Sequence, residues 1–242
     1  MKADAGRGNC NVILTGGHTH PFATSAPALA DLLREYGIES TIEDDPERAL
    51  QTLDSTRAEL LTVYALRWTM RTGDKYAPFR EQWGFSLSAA ARARIEAHIA
   101  RGGGLLALHT AIICFDDWPQ WRGILGGRWE WGRSSHPPYG RVEARVDDPA
   151  HPLVRGLSGF SLDDEAYGDL DMASDVRALL SVRAASGAWQ PALWTREASA
   201  GRVVVDTLGH DKGAFTHPVH RRIVARAALW ALRREEQVVA AA

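Results

Sequence analysis

Histidines in this chain follow apolar runs, at positions from which their imidazoles could bind a metal ion or transfer a proton. Three such runs end in histidines: His18 and His20 follow NVILTGG, His109 follows GLLAL, and His210 follows VVVDTLG. Neutral imidazole is a frequent zinc ligand, and its unperturbed pKa of about 6.5 suits proton transfer near neutral pH. The two imidazoles of His18-Thr19-His20 point the same way where the backbone is extended. Each histidine alone is equally consistent with a capping or surface role, so only their convergence predicts a site.

The runs that precede these histidines have the pattern of strands in an α/β domain. ELLTVYAL and GLLAL are continuous apolar runs typical of buried parallel strands, and SLSAAARARIEAHIA between them has helical spacing. Alternating strands and helices predict a parallel sheet with right-handed crossovers. Because open parallel sheets bind ligands outside the carboxyl ends of their strands, we expect the histidines to meet at that edge. His109 is expected at the end of a central strand, where the next helix starts.

The segment SLDDEAYGDLD adds acidic groups that such a site could use. Asp164 and Glu165 stand close to Tyr167 in this segment. A carboxylate there could act as a base or as a metal ligand. An acidic run is also typical of a solvated face, and both interpretations stay open.

An aromatic, glycine-rich segment, DDWPQWRGILGGRWEWGRSSHPPYG, follows the central strand and is too long for a simple connection. It contains His136 and a cluster of tryptophans, namely Trp118, Trp121, Trp129 and Trp131. These side chains could pack a small core under the loop, or they could form a stacking wall for a ring-shaped ligand such as a sugar. Long loops of this kind usually carry function.

The composition excludes several classes of protein. A formal net charge of -2 and the lack of a basic, aromatic stripe argue against nucleic-acid partners. Cys10 and Cys114 are the two cysteines and are expected to be reduced thiols rather than a disulfide framework. No apolar run approaches the roughly 20 residues that span a bilayer, and Met1–Asn9 lacks the apolar core of a secretion signal. We therefore expect a cytoplasmic protein without a membrane partner.

The chain has neither an internal repeat nor a linker, so one domain is expected. It should cover residues 11–234, between a flexible leader at 1–10 and a flexible, alanine-rich tail at 235–242. The sequence does not define the oligomeric state, and a homo-oligomer is left open.

Several motifs follow one another along the chain: GGHTHPF, GGGLLALHTA, WPQWRGILGGRWEWGRSSHPP, HPLVRGLSGFSLDDEAY and GRVVVDTLGHD. In this order they resemble the trehalose-utilisation, ThuA-like family, across roughly residues 11–232. The resemblance implies an α/β, flavodoxin-like three-layer sandwich with a mostly parallel central sheet, of the class I glutamine amidotransferase-like type.

The resemblance also bears on the reaction. In the amidotransferases the residue at the elbow after the central strand is a cysteine, paired with a late histidine and glutamate. Here His109 is at the elbow, Cys114 lies further on inside IICF, and Val219 stands where the acid would be. Glutamine hydrolysis by that triad is therefore not expected.

ThuA-like proteins are associated with disaccharide catabolism, beside dehydrogenases that oxidise the sugar at its third carbon. The resemblance thus implies an enzyme acting on 3-oxo-glycosides or 3-oxo-disaccharides, as a lyase or hydrolase or as an isomerase, with a small sugar as its partner. The ketone acidifies the hydrogen on carbon two, which a base can then remove to form an enediolate. A non-catalytic sugar-binding or regulatory module, or a metal-dependent hydrolase of another substrate, stays as an alternative.

The expected site residues divide by role. His109 and Glu165 are the expected catalytic residues. Zinc is the divalent metal expected, no nucleotide cofactor is expected, and the metal ligands would be His18, His20, His136 and His210. The substrate would contact Trp118, Trp129, Trp131, Tyr167 and Asp164. His151 matches the family pattern too, but His151-Pro152 at a turn fits a structural role equally well.

Overall fold

The computed structural model describes residues 10–184 and 187–240, in which strands and helices alternate through the first half of the chain. The strands are β1 (Asn11–Gly17), β2 (Ser40–Glu43), β3 (Leu60–Leu66), β4 (Gly104–Leu108), β5 (Gly127–Arg128), β6 (Gly140–Val146), β7 (Phe160–Asp164), β8 (Asp171–Met172), β9 (Leu180–Ala184), β10 (Gln190–Ala198) and β11 (Gly201–Asp206). The α-helices are α1 (Phe22–Glu35), α2 (Pro46–Ser55), α3 (Arg80–Trp83), α4 (Ala89–Ala100), α5 (Pro119–Leu125), α6 (Lys212–Thr216), α7 (His220–Ala231) and α8 (Glu235–Ala240). Short 3₁₀ helices span Asp74–Phe79 and His109–Ile112.

One mixed sheet of nine strands forms the centre of the fold, in the order β2-β1-β3-β4-β11-β10-β9-β6-β7. The strands from β2 to β11 are parallel to their neighbours. The strands from β10 to β7 extend this sheet in antiparallel pairs. The order of the parallel part is that of flavodoxin-like proteins, in which ligands bind where the strand order reverses, at β1 and β3. The expected α/β, flavodoxin-like fold is confirmed.

Alternation of apolar side chains along the central strands buries the two faces of the sheet. Leu105 packs into one apolar cluster with α2 and α4, and its neighbour Leu106 packs into another with α1 and α7. Successive strand residues point to opposite faces, so a continuous apolar run needs a helical layer on each side. Every residue of β3 is buried for this reason. The result is the predicted three-layer sandwich.

The ends of the chain differ from the expectation in one respect. The expected leader lies outside the described residues except for Cys10. In the expected tail, 235–242, the structure instead has α8, while residues 241 and 242 lie outside the described part. The helix is held because Val238 is buried in the core and Glu235 pairs with Arg202. Among the described residues, no helix is long and apolar enough to cross a membrane.

We predict that Gly104→Ala destabilises the fold by separating β4 from α7. A Cβ at this position would lie 2.7 Å from the main-chain oxygen of Ala231, and backbone cannot rotate away as a side chain can. Overpacking of this kind typically costs about 1–3 kcal/mol. Gly123→Ala is the control, since its Cβ would meet no atom within 4 Å, and a helical alanine gains up to about 1 kcal/mol over glycine. Urea unfolding measures both, and equal stability of the two variants would contradict the close approach.

Candidate functional site

His109 stands at the elbow between the central strand β4 and the 3₁₀ helix that follows it, as predicted. Its φ is +51°, in the left-handed region that non-glycine residues seldom occupy and that recurs at functional sites. The ring is buried, and its Nδ1 lies 2.9 Å from the carbonyl oxygen of Thr207. A carbonyl can only accept, so Nδ1 carries the hydrogen and Nε2 presents its lone pair to the site.

Three other side chains bring ligand atoms close to this nitrogen. His20 Nε2 lies 3.1 Å from His109 Nε2, and Glu165 Oε2 lies 3.5 Å from it. His210 Nδ1 is 3.4 Å from Glu165 Oε1, is buried, and makes no hydrogen bond. The ligand atoms of His20, His109, Glu165 and His210, called the histidine cluster below, all lie within 4.8 Å of one another. The convergence expected from the strand ends is present.

Asp164 positions two members of this cluster from below. Its carboxylate accepts hydrogen bonds from the main-chain N–H groups of Glu165 (2.8 Å), Gly209 (2.8 Å) and His210 (3.2 Å). Burial raises the pKa of Asp164, while His109 and these N–H groups oppose the rise. Only 1% of the residue is exposed, and it does not line the cavity above the cluster. The structure therefore places Asp164 as a positioning residue and not in the substrate contact expected from the sequence.

The members of the histidine cluster differ in the direction in which their pKa values are shifted. Burial, with the nearby His109 and His210, lowers the pKa of His20 to about 3, so this ring is neutral near pH 7. Burial raises the pKa of Glu165, but the adjacent imidazoles of His109 and His210 outweigh it and leave the pKa below its usual range. Burial lowers the pKa of His210, yet Glu165 reverses this and raises it overall. One carboxylate thus faces several imidazoles in a partly closed site.

His18 and His136, both expected to be metal ligands, lie at the rim instead. Thr19 has a φ of +68°, so the backbone is not extended and the two neighbouring imidazoles diverge. The His18 ring lies against Phe79, with ring centroids 4.6 Å apart. His136 Nδ1 is 2.9 Å from the carbonyl oxygen of Pro137 and 3.6 Å from Glu165 Oε1. Both rings line the cavity but are not members of the histidine cluster.

A cavity of about 420 Å³ opens above the cluster and is largely aromatic. Of the residues expected to contact the substrate, Trp129, Trp131 and Tyr167 line it. Trp118 does not, because it is buried beside Trp121, under a smaller neighbouring cavity of about 120 Å³.

Sequence reasoning missed three further aromatic residues of this wall: Trp68, Tyr76 and Phe79. Trp68 follows β3 closely, so the strand-end rule that located the histidines would also have located it. The indole nitrogens of Trp68, Trp129 and Trp131 are buried without a hydrogen-bond partner in the described structure.

Tyr167 lies against the elbow. Its hydroxyl is 3.1 Å from His109 Nε2, and the two rings stack with centroids 4.8 Å apart. Burial raises the pKa of Tyr167 well above its ordinary value of 10.0, helped by the nearby Glu165 and Asp164. The phenol therefore keeps its proton and is a hydrogen-bond donor at neutral pH.

Cys114 is buried away from the cluster, and its thiol lies 3.1 Å from the carbonyl oxygen of Ala65. Burial raises the pKa of Cys114 to about 12, against a smaller effect of Arg67. The thiolate is the nucleophilic form, so this cysteine is inert where it stands.

A buried histidine–aspartate pair, His220 and Asp206, supports the end of β11. His220 Nε2 lies 3.0 Å from Asp206 Oδ2, its Nδ1 lies 2.8 Å from the carbonyl oxygen of Ala214, and both side chains of the pair are fully buried. Asp206 also accepts the N–H of Leu208 at 3.0 Å. The pair therefore holds the turn whose next residues are Gly209 and His210.

A flavodoxin-like sheet with an imidazole at the elbow of its central strand defines an α/β protein that carries a cluster of histidines at the ligand-binding edge of the sheet. Residues 12–231 match the ThuA family, described as trehalose utilisation. Because the match covers most of the chain, the protein belongs to this family, as its motifs predicted. No curated protein matches the chain in sequence.

Solved structures share the fold at low sequence identity. A protein of Parabacteroides merdae described as ThuA-like is 19% identical, with a TM-score of 0.73 over 92% of this chain and 89% of its own. Another from Bacteroides uniformis is 16% identical, with a TM-score of 0.63 over 96% and 95%. A β-galactosidase from Rahnella sp. R3 is 14% identical, with a TM-score of 0.56 over 96% of this chain but 32% of its own. These likenesses describe the architecture alone.

We predict that the His220–Asp206 pair stabilises the protein most at low pH. Burial lowers the pKa of His220, but the charge and hydrogen bond of Asp206 outweigh it and raise the pKa above 6.5. A raised folded-state pKa contributes stability that is fully present below 6.5 and is lost as the pH rises through the folded value. His220→Gln should therefore cost about 3–5 kcal/mol at about pH 6 and less at about pH 9.

Urea unfolding of both proteins at the two pH values measures this difference. His98→Gln is the control, because burial lowers the pKa of the buried His98 to about 4. Its ring is neutral over the whole range when folded, so its contribution should not decline with rising pH. A parallel, pH-independent loss in both variants would show that His220 is not charged.

Proposed function

We propose that the protein is an enzyme that removes a proton from carbon two of a 3-oxo-glycoside or 3-oxo-disaccharide. In this proposal His20, His109 and His210 hold a divalent metal ion, with zinc the best fit, and Glu165 is the base. The observation that carries the proposal is the approach of two imidazole nitrogens to 3.1 Å beside a carboxylate, at the ligand-binding edge of the sheet.

The donor set fits a cation. His109 Nε2 presents a lone pair, and the only polar atoms near His20 Nδ1 on its own loop are the carbonyl oxygen of His18 and the hydroxyl of Thr19, each at 3.4 Å. If His20 donates from Nδ1, two lone pairs face each other, which a positive ion between them would relieve. Ligand atoms on a tetrahedral zinc ion, each at about 2.0–2.1 Å, stand roughly 3.3–3.4 Å apart. The 3.1 Å separation of His20 Nε2 and His109 Nε2 is close to that spacing.

Three imidazoles with one open position are a common ligand set of catalytic zinc. When bound, such an ion stabilises negative charge on an oxygen of the substrate. His210 Nδ1, buried without a hydrogen-bond partner, is the third nitrogen available for it. Glu165 then remains free of coordination, with one oxygen turned to His109 and the other to His210.

Glu165 is placed to move the proton. Its pKa is held below the usual range, so it is ionised and can accept a proton from carbon two of a ketone-bearing ring. The electron pair of the broken C–H bond then forms the enediolate. Loss of the substituent at carbon one, with the electron pair leaving on its oxygen and a proton returning to that oxygen, completes cleavage by elimination. Return of the proton to carbon three would instead give an isomer.

The cavity suits a sugar ring. Trp129, Trp131 and Tyr167 offer apolar faces, and the unpartnered indole nitrogens of Trp129 and Trp131 are donors for ring hydroxyls if they become accessible when the ligand binds. Tyr167, which keeps its proton, can donate to the developing enediolate or the leaving oxygen. A site with this many titratable groups supports turnover over binding alone.

The first test is metal content. We predict about one zinc ion per chain, and loss of that ion in His20→Ala and in His210→Ala, because each removes one of three ligands. His18→Ala is the matched control: it lines the same cavity outside the cluster and should keep the metal. Elemental analysis of dialysed protein measures the content. The proposed zinc site would be contradicted if the wild type held no metal after incubation with zinc. It would also be contradicted if His18→Ala lost as much zinc as His20→Ala and His210→Ala.

The second test is turnover. We predict that 3-oxo-trehalose is consumed while trehalose is untouched, since only the ketone makes the carbon-two proton removable near neutral pH. Glu165→Gln should keep its zinc and lose about 100- to 10,000-fold in rate, the usual contribution of a general base. His109→Ala should lose about 100- to 1000-fold or more, since it holds the ion that stabilises the oxyanion.

NMR of the sugars follows both reactions, with Glu143→Gln as the control because that carboxylate pairs with Arg183 on the sheet surface. Indifference of the wild type to both sugars would reject the substrate class. Loss of zinc from Glu165→Gln would make Glu165 a ligand and not the base.

A further inference from the structure

We propose that a second cavity, beside the histidine cluster, binds the second ring of a disaccharide whose oxidised ring lies at the cluster. The identity of the first ring rests on the proposed function, but the second cavity is defined by its own geometry. It has a volume of about 580 Å³ and shares His20 with the first cavity. A substrate that spans two rings could therefore lie across His20 with one ring on each side.

The position of this cavity follows from the topology. It lies where the ends of β1, β2 and β3 meet the first turns of α1, which is the point at which the strand order reverses. Gly16 and Gly17 end β1 with φ values of +88° and +131°. A Cβ on Gly16 would lie 2.9 Å from the Arg67 guanidinium, and one on Gly17 would lie 2.2 Å from the Leu66 carbonyl oxygen. Glycine at these two positions thus allows Arg67 and the end of β3 to approach the end of β1 closely, beside the cavity.

Hydrogen-bond donors without protein partners stand at this cavity. Arg67 lines it, and its Nη2 donates to the main-chain oxygen of Asp44 at 2.7 Å. Its Nε is buried without a partner, and no carboxylate pairs with this guanidinium within the described ranges. Thr15, 5% exposed, also lines the cavity, and its hydroxyl has no partner there either. Buried polar groups are usually hydrogen-bonded, so these groups are available to water or to a bound ligand.

Hydrogen-bond acceptors also line this cavity. Asp44 lines the cavity and gives one carboxylate oxygen to Arg48 at 2.8 Å, which leaves the other for a ligand. Pro27, within α1, has no N–H for the carbonyl of Ala23, and both residues line the cavity. The hydrogen bond that α1 would otherwise form to the Ala23 carbonyl is therefore missing on the side of the helix that lines the cavity.

An aromatic side chain completes the set. Trp83 is half-buried at the cavity, and its ring centroid lies 5.9 Å from the Arg67 guanidinium. An indole, a guanidinium and a carboxylate together match a sugar ring, which presents an apolar face and several hydroxyls that both donate and accept. An anion fits less well, because the Asp44 carboxylate lines the cavity together with Arg67 and Asp45 follows it directly. The ligand class is therefore a neutral polyol.

Binding of unoxidised sugars tests the subsite without any reaction. Saturation-transfer NMR titrations would compare trehalose, with two rings, and methyl α-glucoside, with one, on the purified protein. We expect the wild type to bind trehalose more tightly than methyl α-glucoside. Arg67→Gln should weaken trehalose binding about tenfold, the loss typical of a hydrogen bond to a charged group, and Trp83→Ala should weaken it by removing the apolar face; both should leave methyl α-glucoside binding unchanged.

Matched controls are Arg71→Gln and Trp189→Ala, whose side chains lie outside both cavities. Retained binding of methyl α-glucoside shows that a variant is folded, with circular dichroism as a second check. Equal affinity of the wild type for the two sugars, no binding of either, or equal loss of both in the variants would overturn the subsite. Selective trehalose binding without turnover of 3-oxo-trehalose would contradict the proposed reaction alone, whereas turnover with unchanged trehalose binding in both variants would contradict the subsite alone.

Discussion

The buried carboxylate of Asp164 is the interaction on which the site depends. By accepting N–H groups from Glu165, Gly209 and His210, it joins the end of β7 to the segment after β11. These strands are separated by β10, β9 and β6 in the sheet, so no ladder of hydrogen bonds could bring their ends together. A buried acceptor satisfied by several N–H groups is rigid, because releasing any one of them would leave a buried polar group unpaired.

The fold could be predicted from the sequence because its strongest signals are local. The apolar runs that became β1, β3, β4 and β11 have the length and continuity of buried parallel strands, and a histidine of the cluster follows β1, β4 and β11. The elbow at His109 followed from the same rule. What the alternation of apolar residues could not show is the antiparallel half of the sheet, whose order depends on contacts between distant segments.

The site could be predicted as a set of histidines but not as a geometry. His18 and His20 look equivalent in HTH, and only the left-handed backbone of Thr19 sends one ring into the cluster and the other to the rim. Asp164 and Glu165 are likewise adjacent acids in different positions, since Asp164, the last residue of β7, is buried beneath the site and Glu165, the next residue, lines the cavity. Trp118 and Trp129 belong to one aromatic segment, but Trp118 is buried beside Trp121 whereas Trp129 lines the cavity.

The elbow shows how one architecture can support different chemistry. A strained residue at the end of a central parallel strand presents its side chain to the ligand edge whatever that side chain is. A thiol there needs a base to become a nucleophile. An imidazole whose Nδ1 is fixed by the Thr207 carbonyl instead offers a lone pair of fixed direction, which suits a metal ion. In the proposed site, that lone pair would bind the ion together with His20 and His210, and Glu165, whose carboxylate lies 3.5 Å from the elbow nitrogen, would be the base.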